Sequence, residues 1–469
     1  MSAGAGSAPR SVAVVGAGAA GLAAAWTLVR AGVAVTVYEA AGRAGGVIRT
    51  ERHDGWLVEH GPNSLATIPT AVEPLFAEAG LDRLLVQPGR EARRRYVVRD
   101  GRPVAVPGSP LAFLRTPLLS GAAKRRLLRE PFAPPRTEGG EESVAAFARR
   151  RLGPEVESRM IDAVVGGIYA GDPERLSLRH AFPALHALER DHGSLLRGLL
   201  RGPRRGAGRG GAAARGRRIQ SFADGMEVLP RTLAAGLGER LRLAARVAAL
   251  RRRPDGWEVE MALAGDVVRR ERHDAVLWSA PAHALAALEL PGADADAVAR
   301  IAAVAYAPVA VLALGFRRED VAHPLDGFGM LVPAAEGRRV LGAIFSSTLF
   351  PGRAPSGHVA LTVIAGGRRR AEDAALSTQA LTEHVMRDLR ELLGARGEAV
   401  FRAHVRWPRA IPQYELGYGA VHAAADRLER QLPGLLFAGS WRHGVAVGDA
   451  LSSGIGAAQR LLDGIRTSG

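Results

Sequence analysis

The chain has 469 residues, 47% hydrophobic and 23% charged, so it is long enough for more than one buried core and is not disordered, collagenous or coiled-coil throughout. It contains no cysteine, which excludes disulfide scaffolds, thiolate nucleophiles, iron–sulfur clusters and cysteine-bound zinc. The formal net charge is +16, almost all from arginine because Lys124 is the only lysine, and nucleic acid, anionic lipid or a carboxylated substrate would each complement it.

The predicted elements begin with a βαβ unit. Ser11–Val15 is an uncharged, valine-rich run, as in a buried parallel strand. Ala19–Ala31 predicts a helix, and Val33–Tyr38 predicts a second buried strand. The uncharged stretch from Ser11 to Val29 is long enough to cross a membrane, but three glycines at fixed spacing interrupt it. We therefore expect a soluble chain without a cleaved leader.

Residues 91–200 no longer show the strand and glycine-loop patterns of the stretch before them. Prolines cluster near the start, and helical patterns follow, as in Glu142–Leu152 and Val156–Val165, so we expect a mainly helical insertion. The segment 203–218 is rich in glycine and arginine and has no aromatic residue to stack on a nucleobase. A solvated loop is the preferred interpretation.

Strand patterns return in the second half of the chain, interleaved with helical ones. The predicted strands are Leu241–Leu250, Trp257–Leu263, Ala275–Trp278, Val309–Phe316, Met330–Val332, His358–Ile364 and Gly434–Ala438. The predicted helices are Ala371–Leu393, which is amphipathic, and Gly454–Leu462. This mixture predicts an α/β fold that is α+β overall.

A G-x-G-x-x-G motif stands between the first strand and the first helix. Gly16 permits the tight turn, Gly18 lets backbone N–H groups approach a pyrophosphate, and Gly21 allows close packing of helix on strand. Glu39 follows at the end of the second strand, where its carboxylate can accept hydrogen bonds from ribose hydroxyls. Strand, helix and acid in register predict a dinucleotide site.

Two further glycine-rich segments indicate which dinucleotide binds. Gly42-Arg43-Ala44-Gly45-Gly46 directly follows Glu39, and Phe437-Ala438-Gly439-Ser440 leads near the carboxyl end to Gly444-Val445-Ala446-Val447-Gly448-Asp449. Both segments resemble those of flavoproteins of the amine oxidase superfamily. The resemblance implies FAD, with Arg43 available to a phosphate. We expect noncovalent binding through Glu39 and the glycine loops, and the absence of cysteine excludes a thioether tether.

Six segments, taken in order, resemble the oxygen-dependent protoporphyrinogen oxidases from about residue 12 to 462. They are Glu59–Ser64, Arg95-Tyr96, Gly166–Gly171, Gly327–Pro333, Trp407–Tyr414 and Gly444–Val447. The resemblance implies a six-electron oxidation of protoporphyrinogen IX to protoporphyrin IX in heme biosynthesis, by hydride transfer to FAD, with molecular oxygen as acceptor and hydrogen peroxide as by-product. It identifies no protein general base.

The resemblance also implies roles for individual residues. On the substrate side, Arg95 matches an arginine that pairs with a propionate, Phe328 and Leu331 match residues packed on pyrrole rings, and Gly167 matches a glycine beside the macrocycle. Ile364 stands on the cavity wall where the family often has methionine. The implied FAD contacts are Gly16, Gly18, Ala19, Ala20, Gly21, Glu39, Ala40, Arg43, Gly45, Gly46, Gly61, Pro62, Asn63, Ser64, Val247, Trp407, Gly439, Val445, Ala446 and Val447.

The domain organisation follows from the same resemblance. A Rossmann-like FAD-binding domain would combine residues 1–60, 219–282 and 405–469, and a mixed-sheet substrate domain would combine 61–90 and 283–404. Residues 91–202 would form a helical, membrane-associating domain. Within it, Leu111–Phe132 mixes apolar and basic side chains, which predicts peripheral binding to an anionic membrane surface on the cytoplasmic face. A homodimer is left open.

Other functions compete with this interpretation. A coproporphyrinogen III oxidase would share fold, cofactor and mechanism. A flavin amine oxidase commonly needs a lysine near the flavin, whereas Lys124 lies in a basic helical stretch far from any flavin motif. A nucleic-acid-binding protein would use Arg201–Arg218, but we expect no nucleic-acid partner. The histidines lack metal-binding spacing, so we also expect no metal site.

Overall fold

The structure is a computed structural model that describes residues 11–134, 140–201, 219–263 and 267–466. The predicted loop 203–218 lies outside these residues. The described chain forms a mixed α/β fold around one parallel sheet and one large, mostly antiparallel sheet. No helix within the described ranges is both long and apolar enough to cross a bilayer.

The parallel sheet has five strands and contains the predicted βαβ unit. Its strands, in spatial order, are Leu435–Phe437, Ala275–Trp278, Ser11–Val15, Ala34–Tyr38 and Leu241–Arg242. The helices Ala19–Arg30, Val228–Leu237 and Val447–Arg466 pack together on one side of this sheet. A Cβ at Gly454 would overlap the carbonyl of Ala20, so glycine lets the first and last helices touch. The first strand, Ser11–Val15, is the central strand of this sheet and pairs in parallel with both of its neighbours.

A three-stranded antiparallel sheet lies beside the parallel one. It consists of Arg246–Arg253, Gly256–Ala262 and Val268–His273. The predicted strand Leu241–Leu250 is interrupted, because Ala244 has a positive φ of 52° and its amide donates to the carbonyl of Ala41. The interruption carries the chain from one sheet to the other next to Glu39.

The large sheet has seven strands. In spatial order they are Phe401–Pro412, Tyr306–Arg317, His358–Gly366, Val340–Ile344, Gly327–Leu331, Arg94–Arg99 and Arg102–Ala105. Only Gly327–Leu331 and Arg94–Arg99 pair in parallel. The helix Thr378–Leu393 packs on one face and is shorter than predicted, because Ser377 caps its start. Two small antiparallel sheets have two strands each: the hairpin Thr50–His53 with Trp56–Glu59, and Leu85–Val86 with Ser221–Phe222, which are distant in sequence.

The expectation of a mainly helical segment from residue 91 was wrong at its start. Arg94–Arg99 and Arg102–Ala105 are edge strands of the seven-stranded sheet, because their partner Gly327–Leu331 lies far away in sequence. Helices follow from Pro110. They are Pro110–Arg115, Gly121–Leu128, Val144–Arg151, Pro154–Val156, Asp162–Tyr169, Leu178–Ala181, Pro183–His192 and Leu195–Arg201, with a π-helical turn at Glu157–Ile161.

Candidate functional site: a dinucleotide groove beside an apolar sheet face

The first glycine loop has the conformation that the motif predicts. Gly16 has a φ of 99°, which glycine adopts readily. A Cβ at Gly21 would overlap the carbonyl oxygen of Gly16, so the helix lies directly against the loop. Gly18 caps the helix that begins at Ala19, and nothing lies within 4 Å of where its Cβ would stand. The helix N-terminus is therefore open to a phosphate.

Glu39 is held in place at the end of the second strand. Its carboxylate accepts hydrogen bonds from the amides of Ala17 at 2.7 Å and Ala41 at 2.8 Å. Each oxygen keeps a further lone pair, so the same carboxylate can also accept bonds from ribose hydroxyls. The amide of Ala245 donates to the carbonyl of Glu39 at 2.8 Å, which brings the strand containing Val247 close to the ribose position.

The second glycine loop packs on the first. The amide of Gly45 donates to the carbonyl of Ala17 at 2.8 Å, and a Cβ at Gly46 would stand 3.5 Å from the Cα of Gly18. Arg43 donates to the carbonyls of Ala44, Gly46 and Ile48 at 2.6–3.1 Å. Arg43 therefore shapes this loop, and its contact with a phosphate stays a prediction.

The segment Gly61–Ser64 is half-buried. A Cβ at Gly61 would overlap the carbonyl oxygen of Val47, which explains the glycine. Asn63 donates from Nδ2 to the carbonyl of Gly61 at 3.1 Å. The indole of Trp407 donates to the carbonyl of His60 at 2.7 Å, so the seven-stranded sheet meets this segment where it begins.

Residues 439–447, here called the closing segment, lead into the last helix. Gly439 donates from its amide to Ser453 Oγ at 3.0 Å, and Gly444 donates to the Tyr414 hydroxyl at 2.7 Å. Ala446 is exposed, while Val445 and Val447 are half-buried. Sequence reasoning did not single out the anchors Tyr414 and Ser453. Tyr414 does end one of the family-like segments, which was the available signal.

The predicted substrate residues lie across the seven-stranded sheet. Leu331 and Ile364 are both cross-strand partners of Gly342, and Ile364 is also the partner of Val311. Directly paired residues project from one face of a sheet, so these side chains share a face. This face is opposite the one covered by Thr378–Leu393, and it is apolar: Ile364 packs with Leu341, Trp407 and their neighbours.

The helix Asp162–Tyr169 lies over this apolar face. A Cβ at Gly167 would stand 2.6 Å from Leu331 Cδ2, so a side chain there would have to displace Leu331. On the neighbouring strands, the exposed Arg95 places its guanidinium carbon 5.9 Å from the centre of the Phe328 ring. Gly167, Leu331 and Ile364 therefore form one group and Arg95 and Phe328 another, and a common substrate site for all five stays a prediction.

A buried ion pair that the sequence did not reveal joins the two regions. Glu59 accepts hydrogen bonds from Arg353 at 3.1 Å, Thr50 at 2.6 Å and the amide of Met226 at 2.9 Å. Glu59 and Arg353 are 4% and 3% exposed. Burial raises the pKa of Glu59 to about 6, although the Arg353 guanidinium opposes the shift. The only signal was the position of Glu59 in a family-like segment.

The residues of the groove fit a flavin dinucleotide. The open helix N-terminus at Gly18 suits a diphosphate, the fixed carboxylate of Glu39 suits a ribose, and the closing segment offers backbone groups beyond them. Lys124 is not part of the groove. Its ammonium donates to the carbonyls of Leu114 at 2.9 Å and Thr116 at 2.7 Å, in the helical segment. The lysine-assisted chemistry of the amine oxidase alternative therefore has no support here.

Comparison with known proteins agrees with this geometry. The family model for flavin-containing amine oxidoreductases matches residues 19–462. Protoporphyrinogen oxidase 2 (chloroplastic/mitochondrial) of Arabidopsis thaliana is 35% identical, over 97% of this chain and 94% of that protein. Coproporphyrinogen III oxidase of Bacillus subtilis (strain 168) is 26% identical, over 97% of this chain and 98% of that protein.

Solved structures show the same fold. A protein of Exiguobacterium sp. 255-15, provisionally assigned as a protoporphyrinogen oxidase, aligns with a TM-score of 0.79 at 23% identity, covering 98% of this chain and 100% of that one. The predicted α/β fold, the FAD cofactor and the family resemblance are thereby confirmed. The chain belongs to the flavin-containing amine oxidoreductases and, among them, to the protoporphyrinogen oxidase family, as an FAD-dependent oxidoreductase.

Proposed function

We propose that this chain oxidises protoporphyrinogen IX to protoporphyrin IX in heme biosynthesis. The observation that carries the proposal is the 35% identity to a protoporphyrinogen oxidase along nearly the whole of both chains. The site is compatible with such a substrate, since a tetrapyrrole has a broad apolar body and ionised propionates. The apolar sheet face would receive the body, and Arg95 would bind one propionate bidentately.

Each predicted substrate residue has a physical task in this proposal. Leu331, Ile364 and Phe328 would exclude water from the ring, and the absence of a side chain at Gly167 lets Leu331 pack against the helix above the face. When bound, FAD supplies the two-electron acceptor for each successive oxidation, and we propose molecular oxygen as the final acceptor, reduced to hydrogen peroxide. The protein's contribution is to fix the ring against the cofactor groove.

Coproporphyrinogen III is the second candidate substrate, because the B. subtilis enzyme is similar over the full chain. It differs in carrying four propionates rather than two. Aerobic turnover of both porphyrinogens by the same preparation, read from porphyrin fluorescence, separates the candidates. We expect a higher kcat/KM for protoporphyrinogen IX, and a clear preference for coproporphyrinogen III would reverse the assignment.

For the domains, we propose that the parallel and three-stranded sheets form the FAD-binding unit and the seven-stranded sheet the substrate unit. This places the strand at 94–99 with the substrate unit rather than with the helical segment. Limited proteolysis would test the division, since cuts are expected between these units and in exposed connections. A homodimer stays a prediction.

We also propose that the helical segment binds an anionic membrane surface through exposed leucines and a phenylalanine, here called the apolar patch. Its members are Leu111, Leu114, Leu128, Phe132, Leu196, Leu199 and Leu200, which are 37–87% exposed. Two links support a common surface: Lys124 ties the first two helices, and Arg197 lies over Phe132 at 5.9 Å. Exposed arginines around these residues would meet lipid headgroups on the cytoplasmic face.

Flotation with vesicles containing anionic lipid tests the apolar patch. Replacing Leu199 and Leu200 with serine should lower the bound fraction roughly ten-fold or more, because two side chains that could enter the acyl region are lost. Leu84→Ser with Leu416→Ser is the matched control, since both leucines are 48% exposed elsewhere. Phe113 is half-buried against the Leu118 cluster, so it should matter less. Wild-type protein that fails to float at low salt would reject the proposal.

A further inference from the structure

The closing segment begins with a single helical turn, Ser440–His443, between two glycines. Gly439 has a φ of 118° and Gly444 a φ of 117°, so the backbone enters and leaves the turn in conformations that L side chains rarely adopt. A Cβ at Gly444 would also stand 2.7 Å from the Cγ of Asp449. Such a path needs external hydrogen bonds to hold it, because its own backbone does not form a regular ladder.

One side chain joins both ends of this turn. The hydroxyl of Tyr414 accepts a hydrogen bond from the amide of Gly444 at 2.7 Å and donates its own proton to the carbonyl of Ser440. Tyr414 is 3% exposed, and burial raises the pKa of its hydroxyl well above 10. It therefore stays a neutral donor and acceptor at any pH at which the protein is folded.

The ring of Tyr414 reaches the wall of the apolar face. It meets Tyr169 edge-on with the ring centres 6.0 Å apart, and Tyr169 ends the helix that contains Gly167. The backbone carbonyl of Tyr414 accepts from the amide of Ser177 at 2.8 Å, just beyond that helix. Tyr414 thus fixes the closing segment relative to the helix over the substrate face.

We infer that Tyr414 is a positioning residue for FAD. By hydrogen bonding to the Ser440 carbonyl and the Gly444 amide together, its hydroxyl sets the path of Val445–Val447. This stretch in turn presents backbone groups to the cofactor. The inference rests on the proposed placement of FAD against the closing segment. Tyr414 touches neither the reacting atoms nor the substrate in this arrangement, and its effect is on where the cofactor lies.

The test is FAD binding to the apoprotein of Tyr414→Phe. Because the variant leaves the Gly444 amide unpaired and the turn free to shift, we expect the Kd for FAD to rise roughly ten-fold or more. The visible circular dichroism of the bound flavin should change as well, since its surroundings are altered. Should the apoprotein be recovered poorly, the dependence of Tm on FAD concentration gives the same Kd.

Tyr306→Phe is the matched control. Its hydroxyl accepts from the backbone amide of Ala282 at 3.1 Å, so this variant also removes a buried acceptor from an amide, but one outside the closing segment. We expect a comparable loss of thermal stability with a Kd for FAD within about two-fold of wild type. Equal effects of the two variants on the Kd, or an unchanged Kd in Tyr414→Phe, would overturn the inference.

A third variant separates this inference from the placement on which it depends. Ala446 is exposed on the closing segment, so Ala446→Asp would put a carboxylate where the anionic cofactor is proposed to lie. Weak binding in Ala446→Asp with normal binding in Tyr414→Phe would overturn the role of Tyr414 alone. Normal binding in Ala446→Asp would reject the placement of FAD at this segment.

Discussion

The dinucleotide groove and the apolar sheet face lie side by side but are constructed from different parts of the chain. In the groove, backbone groups form most of the proposed cofactor contacts. Glycines are needed where loop and helix touch, as at Gly16 and Gly21. At the sheet face, apolar side chains form the surface, and Gly167, on the helix above it, lets Leu331 pack closely. Changes in the groove should therefore affect folding and cofactor together, whereas changes on the face should affect turnover alone.

The largest effect is expected where helix and loop are in contact. Gly21→Ala would force a Cβ against the Gly16 carbonyl, which is backbone and cannot rotate away, so we expect a loss of about 3 kcal/mol in stability and of bound FAD. Tm measures the loss of stability, and the flavin absorbance of the purified protein measures the loss of bound FAD. Gly456→Ala is the control, because nothing lies within 4 Å of that helical glycine. A flavin-replete, stable Gly21→Ala protein would contradict the described packing.

On the sheet face, Gly167→Val should act on the substrate only. The added side chain meets Leu331, whose end is flexible, so the fold should tolerate it while the displaced Leu331 side chain takes space from the proposed substrate. We expect kcat/KM to fall roughly 10- to 200-fold, with FAD content unchanged. Gly121→Val, in an open position of the helical segment, is the control. Loss of FAD from Gly167→Val would contradict the expectation that changes at the sheet face leave cofactor binding intact.

Arg95→Ala tests the cation that is proposed to bind a propionate. Removing a bidentate partner of a carboxylate in a partly dry site should cost about 1.5–3 kcal/mol, or roughly ten- to a hundred-fold in kcat/KM, with FAD retained. Arg93→Ala, two residues earlier and exposed, should leave kinetics unchanged. If both variants behave alike, Arg95 does not bind the substrate.

Glu59, where the two regions meet, should affect the pH dependence of stability rather than turnover. Its pKa is raised to about 6 in the folded protein, so the folded state holds this proton more tightly than the unfolded chain does. Its contribution to the free energy of unfolding should therefore fall by about 2 kcal/mol as pH rises from about 4.5 to about 6, and stay level above. Denaturation curves of wild type and Glu59→Gln across this range should diverge accordingly, while the exposed-site control Glu289→Gln follows wild type. If the free energy of unfolding has the same pH dependence in Glu59→Gln and wild type, Glu59 does not make this contribution.

What the sequence could predict follows the same division. The strand Ala275–Trp278 and the glycine loops were predicted correctly. A strand buried on both faces requires a run of apolar residues, and a positive φ favours glycine, so both appear within a few adjacent residues. The strand Arg94–Arg99 was missed, since its partner strand begins at Gly327. The hydrogen bonds from Arg43 to three carbonyls of its own loop were not predicted, and its contact with a phosphate stays a prediction. Partners distant in sequence, such as Glu59 and Arg353, leave no local pattern to detect.

The parallel sheet also has a consequence for synthesis of the chain. Ser11–Val15 leaves the ribosome early, but one of its two neighbours, Ala275–Trp278, and the closing segment at 439–447 come much later. At roughly 5–20 residues per second, the first strand waits tens of seconds for its groove to be completed. If FAD lies against the closing segment as proposed, we expect its binding to follow synthesis of that segment, and the nascent chain must keep an unpaired, valine-rich strand from pairing with others until then.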